Sequence, residues 1–360
     1  MPSVLYTAST FSHILNFHLP YLRRFRELGW QVEVACGGPL RDIPFADGAV
    51  SLPLEKKMSS PANFQAASQL RAMVTRQQYD LIITHTSLAA FFTRWALRGL
   101  KHRPKLINVV HGYLFDDETS GLKRGLLTRA ETMTAPQTDL LLTMNAWDTR
   151  WAMAHRAAPR VEEIPGMGVD LTRFRTAPDA RRTMRDRLGL SEGDVALLYA
   201  AEFSGRKSQH TLLEVLLPGS GALLDDCRAQ AASLGVADRT VFPGQVHDMP
   251  RWLAAADIAV SSSRSEGLPF NIMEAMACGL PAVASAVKGH TDLIGPENGL
   301  LYPYGDAKAF AAAVERLVSD ATLRAELGQA GREKMQHYAL DAVLPQVMDR
   351  YLSVMEGKTQ

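Results

Sequence analysis

The residues best suited to chemistry lie between Ser261 and Glu274, where a Ser-rich loop leaves an apolar run and enters a predicted helix near Phe270. A helix that opens from such a loop presents unpaired backbone N–H groups and the positive end of its dipole, which favours a bound phosphate. Glu266 and Glu274 flank this helix start. Because a carboxylate repels a phosphate, both are better suited to accept hydrogen bonds from uncharged hydroxyls. The pattern indicates a ligand with a phosphate in its middle and hydroxyls on both sides, which is the shape of a sugar nucleotide.

Taken singly, each glutamate is better explained as an ordinary residue, Glu266 in a solvated loop and Glu274 on an exposed helix face, but the complete string is more specific. Residues 266–274 read E-G-L-P-F-N-I-M-E and fit an E-G-x-P-x-x-x-x-E pattern at every defined position. This stretch resembles the signature of the retaining glycosyltransferase family four, which has the two-domain GT-B architecture. The resemblance implies that Glu266 faces the donor sugar and that Glu274 holds the ribose of the nucleotide. It implies further donor contacts from Gly267, Leu268, Pro269 and Phe270.

A basic pair follows the first predicted strand of the second half. Arg206 and Lys207 come directly after Gly205 at a predicted strand-to-helix turn and supply two cations for a pyrophosphate leaving group. In the family resembled here, a basic pair at this place takes the role that a metal serves elsewhere. We therefore expect neither a metal nor another cofactor, and no Asp-x-Asp triplet is present to hold a divalent ion on a diphosphate.

Two further segments resemble walls of the family's donor site. Residues Gly244, Gln245 and Val246 resemble the turn whose backbone meets the nucleotide base. Gly289 and His290 resemble the loop that follows the next strand. Both segments are expected to line the donor site.

In the first half, polar residues follow three predicted strands. His111, in a His-Gly element, resembles the family residue that hydrogen-bonds the donor sugar near the reacting carbon. Ser12, His13 and His85 are candidates for the acceptor side, although a helix N-cap explains Ser12 nearly as well. The run 17–22 looks like members that act in bacterial exopolysaccharide or capsule assembly.

Short apolar or β-branched runs alternate with amphipathic stretches along the chain, which is typical of βα units around a parallel sheet. Residues Asn16–Leu28 place their apolar side chains near one face and stop before Gly29, which predicts one helix. The first half has predicted strands at Val4–Tyr6, Val32–Ala35, Leu81–Thr84, Leu106–Val110 and Leu140–Thr143. Its other predicted helices are Pro61–Gln77, Ser87–Arg98 and Asn145–His155.

The pattern restarts after the Gly- and Pro-punctuated segment 164–170. We therefore predict two doubly wound, Rossmann-like α/β domains facing a cleft, at residues 1–165 and 166–338, with residues 339–360 forming a helix that returns to the first domain. The second half has predicted strands at Val195–Ala200, Thr240–Phe242, Ile258–Ser261 and Ala282–Ala284. Its predicted helices are Phe270–Cys278, Ala307–Val318, Ala321–Gln336 and Leu340–Met355.

One departure from the family lies at residues 208–218, which are too few for the helix and complete strand that relatives place there. Either the helix is abbreviated and Val215–Leu217 remains as a stub strand, or one βα unit is missing from the second sheet. The donor signature downstream is intact, so a folded domain is expected, with stability and activity in question.

The resemblance implies transfer of a hexosyl or N-acetylhexosaminyl group from a nucleotide-diphosphate sugar to an acceptor hydroxyl, with retention. The implied acceptor is a saccharide or lipid-linked saccharide of surface polysaccharide biosynthesis. Retaining glycosidases use a pair of carboxylates about 5 Å apart. No pattern in the sequence indicates such a pair. The alternatives are a sugar-nucleotide epimerase of the same fold and a non-catalytic, decayed transferase subunit.

Composition narrows the remaining choices. Residues 1–165 carry 19 Lys and Arg against 14 Asp and Glu, whereas residues 166–360 carry 20 against 24. The Lys and Arg residues of the first half are only mildly in excess and do not form the dense basic stripe that is typical of a nucleic-acid binder. This mild positive charge suits an anionic membrane surface or acceptor. Three scattered cysteines argue against a disulfide framework. Without a signal peptide or an 18-residue apolar run, we expect a cytoplasmic protein peripheral to the inner face of the cell membrane.

Overall fold

The computed structural model describes residues 1–209 and 216–356, and it divides into two compact units. The first unit comprises Met1–Met167 together with Val343–Gln360, and the second comprises Gly168–Ala342. The predicted boundary at residues 165–166 lies just before this division. Each unit is an α/β structure around a parallel sheet, so the predicted fold class is confirmed.

The sheet of the first unit has seven parallel strands in the order β3-β2-β1-β4-β5-β6-β7. The central strands are buried on both faces, which their continuous apolar runs require. The strand order reverses beside β1, so the loops that follow β1 and β4 leave in opposite directions. The strands are β1 (Ser3–Ala8), β2 (Gln31–Gly37), β3 (Gly48–Leu52), β4 (Leu81–His85), β5 (Lys105–Val109), β6 (Leu140–Thr143) and β7 (Val161–Glu163).

The helices of the first unit cover this sheet. One core cluster packs α3 and α4 against the sheet through Leu70, Phe92 and Leu106. The helices are α1 (Phe11–Phe17), α2 (Leu19–Glu27), α3 (Pro61–Gln77), α4 (Ser87–Leu97), α5 (Gly121–Thr134) and α6 (Ala146–Ala154), with a 3₁₀ turn at Ala135–Gln137.

The prediction of one helix over Asn16–Leu28 is wrong, because the segment forms two helices that meet at His18. Pro20 has no N–H to donate to a preceding turn, and it sits in the first turn of α2, where that loss costs nothing. The backbone carbonyl of His18 instead accepts from the N–H groups of Tyr21 and Leu22. The junction turns the His18 side chain into the unit, where it is fully buried.

The sheet of the second unit has six parallel strands in the order β10-β9-β8-β11-β12-β13. Its order reverses between β8 and β11, as that of the first unit does between β1 and β4. The strands are β8 (Leu197–Leu198), β9 (Leu216–Pro218), β10 (Val241–Gly244), β11 (Ile258–Ser261), β12 (Ala282–Ser285) and β13 (Gly299–Tyr302).

The strand β9 decides between the two alternatives for residues 208–218. Leu216 pairs with Leu198 of β8 and with Val241 of β10, so a stub strand is present, at Leu216–Pro218, and a missing strand is wrong. The turn after it approaches the neighbouring loop closely, since a Cβ at Gly219 would lie 1.9 Å from the carbonyl oxygen of Ala201. The expected abbreviated helix falls on residues 210–215, which lie outside the described residues.

The remaining helices surround the second sheet and end in the first unit. They are α7 (Pro178–Leu188), α8 (Leu224–Ser233), α9 (Met249–Ala255), α10 (Phe270–Ala277), α11 (His290–Leu293), α12 (Ala307–Ser319), α13 (Ala321–Met335) and α14 (Leu340–Ser353), with 3₁₀ turns at Ala237–Arg239 and Gln336–Tyr338. No helix within residues 1–209 and 216–356 combines the length and apolarity needed to span a bilayer.

The two passages of chain that bound the second unit lie side by side. The N–H of Val169 donates to the carbonyl of Tyr338 at 2.8 Å, and the N–H of Leu340 donates back to Val169 at 2.9 Å. From Val343 onward, α14 belongs to the first unit. There the fully buried Tyr351 packs its ring against Tyr21, with ring centres 6.0 Å apart.

A buried ion pair fixes α5 to α4 in the first unit. Both terminal nitrogens of Arg94 donate to the Glu131 carboxylate, at 2.8 and 2.7 Å. Arg94 is fully buried, and Glu131 is 8% exposed. Removal of one partner leaves the other charge buried without a counter-charge. This lowers the free energy of unfolding more than removal of both partners does.

We expect Arg94→Met to destabilise the first unit by about 3–5 kcal/mol, because the Glu131 carboxylate is left buried without a counter-charge. The double variant Arg94→Met/Glu131→Leu should recover most of that loss. Tryptophan fluorescence during urea unfolding measures it, since four of the five tryptophans lie in the first unit. Arg23→Met, which breaks the exposed Arg23–Glu27 pair, serves as the control and should leave the midpoint unchanged. A double variant no more stable than Arg94→Met would contradict the prediction.

Candidate functional site

In the second unit, the candidate residues gather where β8 and β11 end, at the reversal of strand order. Glu266 lies in the loop after β11 and is only 7% exposed. Its carboxylate forms ion pairs with Lys207 and with Arg206, the latter at 3.1 Å. Lys207 is itself buried, whereas Arg206 is about half exposed. The structure therefore brings Glu266 together with two adjacent cations that lie about sixty positions before it in the sequence.

The electrostatics of this triad favour its charged form. Burial alone would raise the pKa of Glu266, but the positive charges of Lys207 and Arg206 outweigh it and lower that pKa to about 2. Burial also lowers the pKa of Lys207, and the Glu266 carboxylate opposes that effect. The triad carries one net positive charge, and its two cations retain N–H donors beyond those that Glu266 uses.

Buried hydroxyls hold the basic loop in place. The Tyr199 hydroxyl donates to the carbonyl of Lys207 at 2.9 Å, and the Ser262 hydroxyl lies 3.0 Å from the same carbonyl. Ser262 also lies 2.9 Å from the carbonyl of Ser208, a residue with φ of +52°. A left-handed backbone at a non-glycine residue persists only where its surroundings enforce it. The loop is thus set in position by the end of β11.

The loop after β12 closes against Glu266 from another direction. Gly289 has φ of +82°, and a Cβ there would lie 2.6 Å from the carbonyl oxygen of Gly267. Only glycine allows this approach. Nδ1 of His290 lies 2.8 Å from the carbonyl of Ser285 and donates to it, which leaves Nε2 as a buried acceptor without a partner among the described residues.

The helix α10 begins at Phe270, as the sequence predicts. Pro269 is its N-cap residue and has no side-chain acceptor, so the first N–H groups are not capped by that side chain. Leu268 and Pro269 are buried beside it. Glu274 lies about one turn into the helix, half-buried, and burial raises its pKa to about 7 against the opposing charge of Arg173.

The turn predicted to meet a base follows β10. Gly244 ends that strand, and its carbonyl accepts from the N–H of Gly219 at 2.9 Å. Gln245 is exposed and Val246 is half-buried. The backbone of this turn is thus joined to the turn that follows β9.

In the first unit, four histidines form one group, which we call the histidine cluster: His13, His18, His85 and His111. His13 lies in α1, His18 at the α1–α2 junction, His85 at the end of β4 and His111 just after β5. Nε2 of His111 lies 3.4 Å from Nε2 of His13 and 3.1 Å from Nδ1 of His85. Burial lowers the pKa of all four, that of His13 to about 4, so the imidazoles are neutral near pH 7.

Ser12 stands apart from this group. It lies exposed inside α1, and the N-cap residue is Thr10, so the alternative that Ser12 caps the helix is wrong. The helix begins earlier than predicted, at Phe11, which moves Ser12 into its first turn.

Sequence reasoning missed three parts of the site: the pairing of Glu266 with both cations, the hydroxyls that position the basic loop, and His18. The ion pairs carry no local signal, because their partners come from different loops. Tyr199 looked like a strand residue, and Ser262 looked like an ordinary residue of the Ser-rich loop. The number of histidines could have drawn attention to His18. Four of the ten, namely the members of the histidine cluster, lie at or after the ends of the strands β1, β4 and β5 in the sequence.

Comparison with known families matches both halves of the chain. Residues 19–167 match the profile described as "Glycosyl transferase 4-like domain", and residues 195–320 match "Glycosyl transferases group 1". These two segments include the histidines 85 and 111 and the whole region around Glu266.

Two curated relatives align along most of the chain. EpsD of Bacillus subtilis (strain 168), whose name gives a glycosyltransferase activity as provisional, is 31% identical over 99% of this chain and 98% of its own. An Escherichia coli protein named UDP-Gal:alpha-D-GlcNAc-diphosphoundecaprenol alpha-1,3-galactosyltransferase is 24% identical over 89% of this chain and 88% of its own.

Two solved structures share the fold. Sucrose-phosphate synthase from Thermosynechococcus elongatus superposes with a TM-score of 0.80 at 22% identity, covering 99% of this chain and 100% of its own. HepE of Anabaena, in complex with UDP-glucose, gives 0.79 at 19% identity, covering 98% and 100%. At these identities the likeness establishes the GT-B fold.

The two glutamates predict opposite effects of pH on stability. The pKa of Glu266 falls from 4.5 to about 2 on folding, so its contribution, roughly 3 kcal/mol, is present above pH 4.5 and lost as the pH falls through 2. The pKa of Glu274 rises to about 7, so the protonated side chain favours the fold and that contribution is lost as the pH rises through 7.

We therefore expect Glu266→Gln to lower the melting temperature of the second unit at pH 8 by several degrees, and Glu274→Gln to raise it. At pH 5 the effect of Glu274→Gln should nearly vanish, because the native side chain is then already neutral. Differential scanning calorimetry of both variants at pH 5 and pH 8 measures these differences. If Glu274→Gln lowers the melting temperature at pH 8, the burial argument is wrong.

Proposed function

The chain belongs to the bacterial group 1 glycosyltransferases, and from that premise we propose that it transfers a sugar, with retention, from a nucleotide-diphosphate sugar to a saccharide acceptor of surface polysaccharide biosynthesis. The single observation that carries the proposal is the ion-paired triad beside the start of α10, formed by the buried Glu266 and Lys207 and the half-exposed Arg206. It offers cations and backbone N–H groups for a diphosphate, and a carboxylate for hydroxyls.

In the proposed reaction, the two cations stabilise the leaving group. Departure of a nucleoside diphosphate builds negative charge on its oxygens, and fixed donors in a site of low polarity stabilise that charge strongly. Lys207 and Arg206 are already held next to Glu266 before the donor binds. Their remaining N–H groups can reach a phosphate without leaving the carboxylate, so little reorganisation is needed. In this proposal no divalent ion is required on the diphosphate.

The protonation state of Glu266 bears on its role. A carboxylate with a pKa of about 2 is a weak base, so it is a poor acceptor for the proton of an attacking hydroxyl. It remains a strong hydrogen-bond acceptor for hydroxyls of the donor sugar. We assign the proton of the acceptor to the departing diphosphate, in a front-face displacement through an oxocarbenium-like centre. Glu274 holds the ribose in this scheme, and His290 and residues 244–246 line the donor.

For the first unit, we propose that His111 contacts the donor sugar and that His13 and His85 lie on the acceptor side. The Escherichia coli relative is named for a diphosphoundecaprenol acceptor, and we propose a lipid-linked saccharide acceptor for this chain as well. A lipid-linked acceptor requires the enzyme to work at a membrane surface.

The helix α5 is the surface that suits such a contact. Leu122, Leu126 and Met133 follow one another at helical spacing and are 81%, 63% and 42% exposed. Lys123 and Arg129 lie on the same helix. Exposed apolar side chains with neighbouring cations favour the interface of an anionic bilayer. We propose that α5 holds the enzyme at the cytoplasmic face of the cell membrane.

We expect Lys207→Ala and Glu266→Ala each to reduce transfer by about 10²-fold or more while the protein still folds, because each removes a group that contacts the donor. Nucleotide release from a panel of sugar nucleotides, measured without added Mg²⁺ or Mn²⁺, gives the rate. Lys308→Ala removes an exposed lysine of the same unit and serves as the control. Full activity in both site variants means that the site is misplaced.

The same assay of the wild-type protein tests the two alternative functions. Folded protein that neither binds nor turns over any donor would overturn the transferase assignment in favour of a decayed subunit. Donor conversion without an acceptor would indicate an epimerase.

We expect Leu122→Gln/Leu126→Gln to weaken binding to vesicles that contain anionic lipid by about tenfold, since two exposed leucines lose their burial in the bilayer. Co-sedimentation with vesicles, with and without anionic lipid, measures the binding. Leu234→Gln removes an exposed leucine of the second unit and is the matched control. Equal binding by both variants would contradict a role for α5.

A further inference from the structure

The histidine cluster has a property that the transfer reaction does not use. We propose that His13, His18, His85 and His111 together bind one divalent transition-metal ion of the zinc class, within the first unit. This site does not use the diphosphate contacts, but it shares His13, His85 and His111 with the sugar and acceptor contacts proposed above, so a bound ion and those contacts are alternative uses of the histidine cluster.

The spacing of the nitrogens fits a tetrahedral site. One ring nitrogen from each of the four residues lies within 4.8 Å of the others. A metal–nitrogen distance of about 2.0–2.1 Å in tetrahedral geometry places ligand nitrogens about 3.3 Å apart. The His13–His111 and His85–His111 separations, at 3.4 and 3.1 Å, are already close to that value.

Unsatisfied nitrogens point to an absent partner. Both ring nitrogens of His18 are buried, and neither accepts nor donates a hydrogen bond within the described parts of the chain. His18 and His85 are both fully buried. A buried polar atom without a partner is costly, and natural proteins rarely retain one without a reason. An ion held by these residues would convert at least one of the orphaned lone pairs of His18 into a bond.

The ligand type selects the metal. Four neutral imidazoles provide nitrogen donors and no carboxylate or carbonyl oxygen, which disfavours Mg²⁺ and Ca²⁺. The group contains no thiolate. Imidazole sets suit Zn²⁺, with Co²⁺, Ni²⁺ and Cu²⁺ as chemical relatives.

One adjustment is required to close the site. The rings of His18 and His85 lie 3.8 Å apart at their centres, inclined by 33°, which is closer than two ligands of one tetrahedral ion allow. The other five ring pairs lie 4.6–5.9 Å apart, near the roughly 5 Å that tetrahedral imidazoles adopt. Rotation of the His18 side chain, at the junction between two helices, opens this pair.

The partial exposure of two ligands provides a route for the ion. His13 and His111 are half-buried, whereas His18 and His85 have no exposed surface. The ion therefore enters from the side of His13 and His111. With four protein ligands the site is closed, which is the arrangement of a structural ion rather than a catalytic one. Bound metal would tie α1 and α2 to the ends of β4 and β5.

The test uses the full-length protein, stripped with a chelator and desalted. We expect calorimetric titration to give one Zn²⁺ per chain, and elemental analysis to give the same value after Zn²⁺ is added back and the excess removed. Added Co²⁺ should give the visible d–d absorption typical of tetrahedral coordination. Zn²⁺ should also raise the melting temperature of the first unit, because it binds the folded state. These readouts do not depend on transferase activity.

Variants identify the ligands. His85→Gln and His13→Ala should each weaken Zn²⁺ binding by about 100-fold, and if His85→Gln does not fold, the half-buried His13 decides the question. His102→Ala removes an exposed histidine of the same unit and should bind Zn²⁺ like the wild type. Absence of saturable binding, an octahedral Co²⁺ spectrum, or equal loss in His102→Ala would overturn the proposal.

Discussion

In both sheets of this protein the strand order reverses at an inner strand, between β1 and β4 and between β8 and β11. This reversal determines where the candidate functional residues can gather. When strand order reverses beside the first strand, the loops after two neighbouring strands separate and leave a gap at the carboxyl edge. In the second unit this gap receives the loops that carry Lys207 and Glu266. In the first unit it receives His13 and His85. Polar residues that are far apart in the sequence meet at this gap.

The burial of Glu266 then determines much of the second unit's loop structure. An ionised carboxylate that is 7% exposed must have counter-charges and donors close by. Lys207 can reach it only if the loop after β8 folds back, and that loop is held by hydroxyls from Tyr199 and Ser262. Gly289 must lack a side chain so that the loop after β12 can pass beside Gly267. The site proposed here for an anionic ligand is thus assembled around an anion of its own.

The sequence predicted the buried parts of the fold well and the exposed edges poorly. The strands β3, β7 and β13 were missed, and each is an edge strand whose residues are partly exposed, so their apolar runs are interrupted. The helix break at His18 was missed because its apolar spacing continues across Pro20.

In the candidate site, the local motif could be predicted from the sequence, whereas its partners in space could not. The motif around Glu266 is local and could be identified from its spacing, and α10 begins at Phe270 as predicted. The partners of that glutamate are set by sheet topology, which the spacing of residues does not encode. His18 escaped notice because its neighbours in space come from three other segments of the chain.

The pairing of Val169 with residues Tyr338 and Leu340 has an evolutionary consequence. Because the chain enters and leaves the second unit at adjacent points, the segment Gly168–Ala342 is, in the gene, a single insertion into an otherwise continuous first unit. A recombination event that replaces this one segment exchanges Glu266, Lys207 and Arg206 and leaves the histidine cluster and α5 intact. The second unit can therefore diversify separately from the first, by exchange of this one segment as well as by point mutation.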